Sequence, residues 1–346
     1  MVDELAAALE LSEEQKTQIS ELHFAHFAEA KELMKKNKYI LFRLTLSAPL
    51  IVLLIFSTAF WASPFEKTQV STYPSLWESF DQDFQQALET ALRKEFRGKY
   101  KGTVDNKKAA LVVVDINNLH QPRVAGVNTD VMMYAASLPK IAILLGAFVK
   151  IERGEMPLNE ETRDELMRMI RKSSNKDATA ILNRVGFEDL AEILQSEKYH
   201  LYDPEQNGGL WVGRDYSGGP VWKRDPLHNI SHGATAMQVA RFYYLAATGR
   251  LISEQYLSDF AEIMADPSIQ HKFVKGLKKA NPDAEIYRKS GTWKNFHADS
   301  GVIVDKKAGY QYIIVALVEH PNGGDILARF AAAVDQIIDH TQNPRP

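Results

Sequence analysis

An apolar run at residues 141–149 follows directly after a serine and a lysine that are three positions apart, Ser137 and Lys140. If the run folds as a helix, the two side chains lie one turn apart on the same face, at its N-terminal end. Unsatisfied backbone N–H groups point out of that end. Serine is a weak nucleophile at its own pKa, and a desolvated neutral lysine can activate it. The stretch therefore predicts a nucleophile, Ser137, and its base, Lys140.

The composition is that of an ordinary globular protein, long enough for one large domain or two smaller ones. The chain has 346 residues, of which 45% are hydrophobic and 25% are charged. Its formal net charge of -3 gives no reason to expect a nucleic-acid partner. Because the chain contains no cysteine, disulfides, thiolate metal sites and a cysteine nucleophile are excluded.

An uncharged apolar segment at residues 44–62 has about the length that a helix needs to cross a bilayer. Basic residues crowd its N-terminal side between positions 31 and 43, which by the positive-inside rule is the cytoplasmic side. We therefore predict a cytoplasmic helix at 1–38, a single-pass anchor in the inner membrane at 39–63, and an extracytoplasmic, periplasmic remainder. A buried core helix is one alternative. A cleaved signal peptide is another, although the segment before the apolar run is longer than a usual n-region.

Beyond the anchor, a linker is predicted at 64–79, which contains prolines, serines and threonines, and one domain at 80–346. Strand-like apolar segments occur near both ends of this domain, whereas residues 137–250 have a mainly helical pattern. This order predicts an α/β (α+β) fold. Its antiparallel sheet is built from both chain ends, is flanked by helices, and accepts an all-helical subdomain as an insertion. The predicted strands are 109–116, 123–127, 285–289, 300–305 and 310–318.

A long glycine-rich segment, residues 202–233, interrupts the helical block. Loops of this length without regular structure are usually functional or disordered. Trp211 and Trp222 within the segment favour an ordered loop. The predicted helices are 80–96, 156–170, 178–185, 235–245 and 324–340.

Three short motifs follow one another along the chain. Ser-x-x-Lys is weak evidence alone, and Ser173 with Lys176 matches it as well, but only Ser137 opens a long apolar helix. The second match contains Ser-x-Asn, from Ser173 to Asn175. A third motif, Lys-Ser-Gly-Thr, occupies 289–292 at the end of a predicted strand. The three motifs in this order are much more specific than any one of them.

The ordered motifs resemble those of class A β-lactamases and penicillin-binding proteins, and the resemblance extends over about residues 80–341. It implies a serine hydrolase that forms an acyl-enzyme on Ser137 without a cofactor, after Lys140 has taken the serine proton. Backbone N–H groups of Ser137 and Thr292 would form the oxyanion hole, worth about 3 kcal/mol per donor. Ser173 would pass a proton to the leaving nitrogen.

The resemblance also implies how the substrate is held. Asn175 would bind the substrate's side-chain amide and help to hold the lysine base. Lys289 would keep the site electropositive. Ser290 and the hydroxyl of Thr292 would receive the substrate carboxylate, and Gly291 lies between them in this substrate-binding strand. Two lysines close together lower each other's pKa, and a neutral amine is what serine activation needs.

The glycine-rich loop offers one candidate for the group that releases the acyl-enzyme. Asp225, Pro226 and Asn229 resemble the Glu-Pro-x-x-Asn of class A β-lactamases, with aspartate in place of glutamate. Asn229 would help to hold the hydrolytic water. The shorter Asp225 would be a base of reduced efficiency, since geometry errors near 1 Å can cost about 100-fold. A turn aspartate before proline is the alternative. The sequence also departs from the family after Thr292, where Trp293 would crowd the mouth of the site.

Three functions are open from the sequence. The leading hypothesis is hydrolysis of a β-lactam or a related amide. The alternatives are a D,D-peptidase that acts on peptidoglycan stem peptides and a catalytically weak ligand-binding module. The expected partners are a small-molecule substrate and, through residues 39–63, the membrane. His228, His232 and His297 are interpreted as surface or loop histidines, because no carboxylate at metal-ligand spacing accompanies them.

Overall fold

The frame of the protein is an antiparallel sheet that brings the two ends of the domain together. The structure is a computed structural model, and it describes residues 64–65, 73–95 and 101–342. In chain order the strands are β1 (Ala109–Asp115), β2 (Arg123–Val127), β3 (Met133–Tyr134), β4 (Tyr202–Asp203), β5 (Gly208–Gly209), β6 (Trp211–Val212), β7 (His232–Ala234), β8 (Glu285–Trp293), β9 (Phe296–Asp305) and β10 (Tyr310–Glu319).

The large sheet of the described chain has five strands in the order β2-β1-β10-β9-β8. Strand β1 from the start of the domain pairs with β10 from its end, and Val112 lies opposite Val315. Every residue of β1 is buried, as expected for an interior strand that is covered on both faces. The prediction of a mixed α/β fold with an antiparallel sheet built from both chain ends is confirmed.

Helices cover both faces of this sheet. The described helices are α1 (Gln82–Glu95), α2 (Lys101–Asp105), α3 (Lys140–Glu152), α4 (Glu160–Arg171), α5 (Asn175–Val185), α6 (Phe187–Gln195), α7 (Ala236–Ala247), α8 (Leu257–Met264), α9 (Phe273–Ala280) and α10 (Gly323–Gln342). One face of the sheet carries α1, α9 and α10, which pack around Phe84, Phe273 and Phe330. The other face carries α7, and the apolar helix α3 contacts α4, α5 and α6 in the helical block.

Element boundaries differ from the predictions at two places that matter for the site. Helix α3 begins at Lys140, so Ser137 lies in the turn before the helix and not in its first turn. Strand β8 continues to Trp293 because pairing with β9 extends that far, so the Lys-Ser-Gly-Thr motif lies within the strand. Periodicity does not reveal α6, α8 and α9, since helices of eight or nine residues give too short a pattern.

The predicted helix at 1–38 and the predicted anchor at 39–63 lie outside the described residues. Within the described ranges, no helix combines the length and the apolar character that spanning a bilayer requires. The described part of the predicted linker packs against the domain. Phe65 is 3% exposed, and its ring centroid lies 5.1 Å from that of Phe260. Leu76 is also buried in the main core.

Candidate active site

Ser137 lies in a tight turn that connects β3 to α3. The backbone N of Leu138 donates to Ala135 O (3.0 Å), and that of Lys140 donates to Ser137 O (3.3 Å). Ala136 has a φ of 51°, a left-handed conformation that costs free energy in any residue with a side chain. The turn therefore holds Ser137 in a strained and fixed position at the N-terminus of a buried helix.

Lys140 is fully buried at the start of α3. Its Nζ donates hydrogen bonds to Ser173 O (2.7 Å) and to Asn175 Oδ1 (2.8 Å). Burial lowers the pKa of Lys140 to about 7, although the carboxylate of Asp177 opposes the shift. A substantial share of the amine is therefore neutral near pH 7, as a base for serine must be. In the described part of the chain no hydrogen bond joins Lys140 to the Ser137 hydroxyl; such contacts commonly tighten only with substrate bound.

A second buried lysine, Lys289 on β8, completes the polar network. Its Nζ donates to Ser173 Oγ (2.9 Å) and to Ser290 O (2.6 Å). Burial, followed by the nearby charge of Lys140, lowers the pKa of Lys289 well below its usual value. The sequence predicts that mutual repulsion lowers the pKa of each lysine, whereas burial is the larger cause for both. The Ser173 hydroxyl lies between the two amines and can relay a proton.

Ser174, and not Ser173, caps the helix that follows. The Ser173 hydroxyl is therefore available for proton transfer. Helix α5 begins at Asn175, and Ser174 is its N-cap, with Oγ accepting from Asp177 N (3.2 Å). Ser173 itself has a φ of 56°, again a left-handed conformation. The turn thus directs the Ser173 side chain towards the lysines and the Asn175 amide towards Lys140.

Strand β8 lies directly against the turn that carries Ser137. A Cβ added to Gly291 would lie 2.1 Å from Ala135 O and 2.8 Å from Ser137 N, so only glycine fits there. The next residue, Thr292, lines the same cleft as Ser137. In the described residues Ser137 N has no backbone acceptor. Strand β8 thus brings Thr292 to the turn that carries Ser137, where the expected pair of oxyanion donors would lie.

Gly291→Ala is expected to lower the rate constant of acylation about 100-fold, because the added methyl must push the strand away from the turn by about 1 Å. Gly324→Ala is the matched control, since its new Cβ would meet nothing closer than 3.9 Å. Both variants are compared by stopped-flow kinetics with a chromogenic β-lactam. If Gly291→Ala leaves the rate constant of acylation within a factor of about three of that of the unaltered chain, the close approach of Gly291 to the Ser137 turn is not needed.

Lys272, in the turn before α9, is a site residue that the sequence does not reveal. It is 2% exposed, and its Nζ donates to Thr292 Oγ1 (2.7 Å), Gly291 O (2.5 Å) and Ala298 O (3.0 Å). Burial lowers the pKa of Lys272 to about 8, and the carboxylate of Asp299 opposes the shift. Lys272 fixes the end of β8 and adds positive charge behind the Thr292 hydroxyl. No motif or period marks it in the sequence.

The cleft above these residues has a volume of about 610 Å³. Four predicted site residues line it: Ser137, Asn175, Asn229 and Thr292. Ser290 is 6% exposed and is not among the lining residues. The other lining residues are Tyr134, Ala136, Arg214, Asp215, Tyr216, Gly218, Arg224, Ile230, Ser231, His232, Trp293 and Phe296.

The glycine-rich loop contributes Tyr216 and His232 to the cleft. The Tyr216 hydroxyl donates to Ala136 O (3.3 Å), and the centroid of its ring lies 4.5 Å from Lys140 Nζ. The ring of His232 lies 4.4 Å from that of Tyr216, and its Nε2 is 3.0 Å from Arg214 O. Burial lowers the pKa of His232 to about 4. His232 is therefore a buried and neutral residue that lines the cleft. The interpretation of His232 as a surface or loop histidine is wrong in that its side chain is buried.

Asp225 does not line the cleft. It is 2% exposed, accepts from the hydroxyl of Tyr202 and from His228 N (2.6 Å), and is not a lining residue. Its backbone O also accepts from Asn229 N (2.9 Å). These are the contacts of a turn aspartate, the second of the two interpretations. Of the two residues, only Asn229 lines the cleft.

The other two histidines lie outside the cleft. His228 is exposed, with Nε2 3.2 Å from Asn207 O. His297 lies on β9 against Gly323, where an added Cβ would be 2.5 Å from its ring. Within the described ranges, no group of three or more histidine, aspartate or glutamate side chains is arranged to hold a metal ion.

Comparison with known proteins agrees with this fold. A family model described as "Beta-lactamase enzyme family" matches residues 161–340. No curated protein matches the chain significantly. Among solved structures, PBP-A is 18% identical with a TM-score of 0.56, covering 77% of this chain and 98% of PBP-A. A mutant of PBP-A, as an acyl-enzyme complex with penicillin G, is 18% identical with a TM-score of 0.56, covering 76% of this chain and 98% of that one.

A class A β-lactamase from Bacteroides cellulosilyticus DSM 14838 is also similar. It is 18% identical with a TM-score of 0.56, and the match covers 75% of this chain and 98% of that one. At such low identity the solved structures establish the fold. The family model spans just over half of the 346 residues. The chain therefore belongs to the beta-lactamase enzyme family and is a serine hydrolase of that type.

Proposed function

We propose that the protein acylates on Ser137, opening a β-lactam or a related amide. The observation that carries this proposal is the buried network of Lys140, Ser173 and Lys289 beside the Ser137 turn. Neutral Lys140 takes the proton of Ser137, whose Oγ attacks the carbonyl carbon. The N–H groups of Ser137 and Thr292 stabilise the oxyanion. When the C–N bond breaks, Ser173 gives a proton to the leaving nitrogen and is reprotonated from the lysines.

The proposed substrate carries a carboxylate next to the leaving nitrogen. The hydroxyl of Thr292 accepts a hydrogen bond from Lys272 Nζ (2.7 Å), and Lys289 lies three residues earlier on β8. These charges favour an anionic group at this end of the cleft. The similarity to the penicillin G acyl-enzyme of a PBP-A mutant supports a β-lactam as a substrate. We also propose, from the apolar segment and its basic flank, that residues 39–63 anchor the domain on the extracytoplasmic side of the inner membrane.

A D,D-peptidase of peptidoglycan stem peptides is the second candidate, and Tyr216 favours it. The ring of Tyr216 lies over Lys140. Among the described residues that line the cleft, Asp215 is the one carboxylate, and its Oδ1 accepts from Ser217 N (3.0 Å) and Gly219 N (2.9 Å). Because backbone N–H groups hold Asp215 Oδ1, hydrolysis of a bulky penicilloyl group is expected to be slow.

One experiment separates the candidates. The full chain in detergent is mixed with a fluorescent penicillin, and bound label and free product are followed with time. Rapid release of product would support a β-lactamase, and a stable label would support a peptidase. No labelling at all would contradict acylation by β-lactams and leave the ligand-binding module.

Asp225→Asn is expected to leave the rate constant of acyl release unchanged within about twofold, because Asp225 does not line the cleft and its carboxylate holds a turn. Losing the charged acceptor of the Tyr202 hydroxyl should lower the free energy of unfolding by about 1–2 kcal/mol. The rate is measured by chasing labelled protein with unlabelled penicillin, with Asp215→Asn as the matched variant of the cleft carboxylate. A tenfold slower release from Asp225→Asn would restore Asp225 as the base.

A further inference from the structure

Tyr216 lies between the lysine base and the open cleft. It lines the cleft together with Ser137, whereas Lys140 is fully buried and is not a lining residue. Two lining residues contact the Lys140 amine. Asn175 Oδ1 accepts a hydrogen bond from Nζ (2.8 Å), and the ring centroid of Tyr216 lies 4.5 Å from Nζ. The ring is therefore an apolar cover over an amine that would otherwise meet the water of the cleft.

Contacts with three elements hold the ring of Tyr216 in this place. The backbone N of Tyr216 donates to Thr179 Oγ1 on α5 (3.2 Å), and its hydroxyl donates to Ala136 O in the turn before Ser137 (3.3 Å). The ring of His232 on β7 lies 4.4 Å from that of Tyr216. A ring held in this way keeps its position over the amine, as a lasting exclusion of water requires.

A ring over an amine can act in two opposite ways. Excluding water disfavours the charged form and lowers the pKa, whereas the face of the ring attracts an ammonium group and raises the pKa. Burial is the largest cause of the low pKa of Lys140, which is about 7. A pKa so far below the usual value of a lysine indicates that exclusion of water outweighs attraction by the ring.

Titratable groups face Lys140 from α5, from β7, from β8 and from the glycine-rich loop. On α5, a hydrogen bond from an arginine lowers the pKa of Asp177, which stays charged near pH 7. Burial lowers the pKa of His232 on β7 to about 4 and raises that of the Tyr216 hydroxyl well above its usual value, so both stay neutral. Burial and the charge of Lys140 lower the pKa of Lys289 on β8, and the two lysines titrate as a coupled pair.

We propose that Tyr216 is a positioning residue whose ring shields the Lys140 amine from the water of the cleft and so keeps it able to accept the Ser137 proton. The proposal rests on the proposed acylation at Ser137 and adds to it a residue outside the three motifs. A shield depends on the volume and apolar character of the side chain. The Tyr216 hydroxyl and the π face are then dispensable.

The test measures the titration midpoint of Lys140 by NMR of the full chain, labelled with carbon-13 at the lysine Cε atoms. The resonance of Lys140 is the one that is missing in Lys140→Met. We expect a midpoint near pH 7 in the unaltered chain, and one within about 0.3 pH unit of it in Tyr216→Phe and Tyr216→Leu. Tyr216→Ala should raise the midpoint by about one pH unit and move the pH profile of acylation equally. Tyr216→Val should raise it by about half as much, and it tests the shield if the alanine variant does not fold.

Tyr134→Ala is the matched control, because Tyr134 also lines the cleft but its ring packs against Trp293 and Phe296. The Lys140 midpoint should not change in this variant. A lower midpoint in Tyr216→Ala would show that attraction by the ring dominates and would overturn the proposal. An unchanged midpoint, or a rise in Tyr216→Leu as large as that in Tyr216→Ala, would overturn it as well. If the midpoints behave as expected but the chain forms no acyl-enzyme with a penicillin, the proposed function fails while the shield stands.

Discussion

Replacing Ser137 by alanine is expected to abolish covalent labelling by a penicillin, with a fall in the acylation rate constant of about 10⁴-fold or more. Removing the serine nucleophile of an acyl-enzyme removes the covalent step itself, and the remaining groups then add little. The neighbouring Ser173 does not substitute, because its hydroxyl lies between Lys140 Nζ (3.5 Å) and Lys289 Nζ (2.9 Å). The measurement is the rate of appearance of fluorescent protein after mixing with a fluorescent penicillin.

Ser217→Ala is the control for this variant. Ser217 is an exposed serine of the same loop as Tyr216, and its Oγ contacts Thr179 Oγ1 (3.0 Å) rather than the site. Its labelling should match that of the unaltered chain. Labelling of Ser137→Ala at an undiminished rate would show that another side chain is the nucleophile.

Lys140→Met is expected to lower the acylation rate constant about 10³-fold, within the range that general-base catalysis contributes. Methionine fills a similar volume but cannot accept the serine proton. Lys150→Met is the matched control on the same helix, because Lys150 pairs with Glu155 and Asp189 away from the cleft. It should change the rate by less than about twofold. Equal rates in Lys140→Met and the unaltered chain would remove Lys140 from the mechanism.

Lys140 also sets the pH dependence of the acylation rate constant in the unaltered chain. Because burial lowers the pKa of Lys140 to about 7, the neutral form dominates above pH 7 and the protonated form below it. The acylation rate constant should therefore rise about tenfold per pH unit below pH 7 and level off above it, as a macroscopic property of the coupled lysines. This rise should be absent in Lys140→Met. A flat profile between about pH 5 and 9 would contradict a neutral lysine base.

Much of the fold can be predicted from the order of the motifs and from the apolar strands. Strands β1 and β10 are almost wholly apolar and bury both faces, so sequence pattern alone identifies them as interior strands of one sheet. The motifs at Ser137, Ser173 and Lys289 were predicted to share a site. The structure brings them together because α3, α5 and β8 meet at the Ser137 turn.

The rest of the site comes from loops, where no period marks a residue. Lys272 and Tyr216 reach the site through packing of the turn before α9 and of the glycine-rich loop, and neither belongs to a motif. The hypothesis for Asp225 depended on the direction of one side chain. That direction is set by the hydroxyl of Tyr202, which is 23 residues away along the chain. Contacts of this kind follow from tertiary packing and are not encoded in local spacing.

We expect the chain to form an acyl-enzyme on Ser137 and to release it slowly. Its most direct test is mass spectrometry of the full chain after mixing with benzylpenicillin, followed by peptide mapping. We predict a single penicilloyl adduct, on the peptide that contains Ser137, that persists long after mixing. No adduct, an adduct that is lost while penicillin is rapidly hydrolysed, or an adduct on a peptide without Ser137 would contradict this expectation.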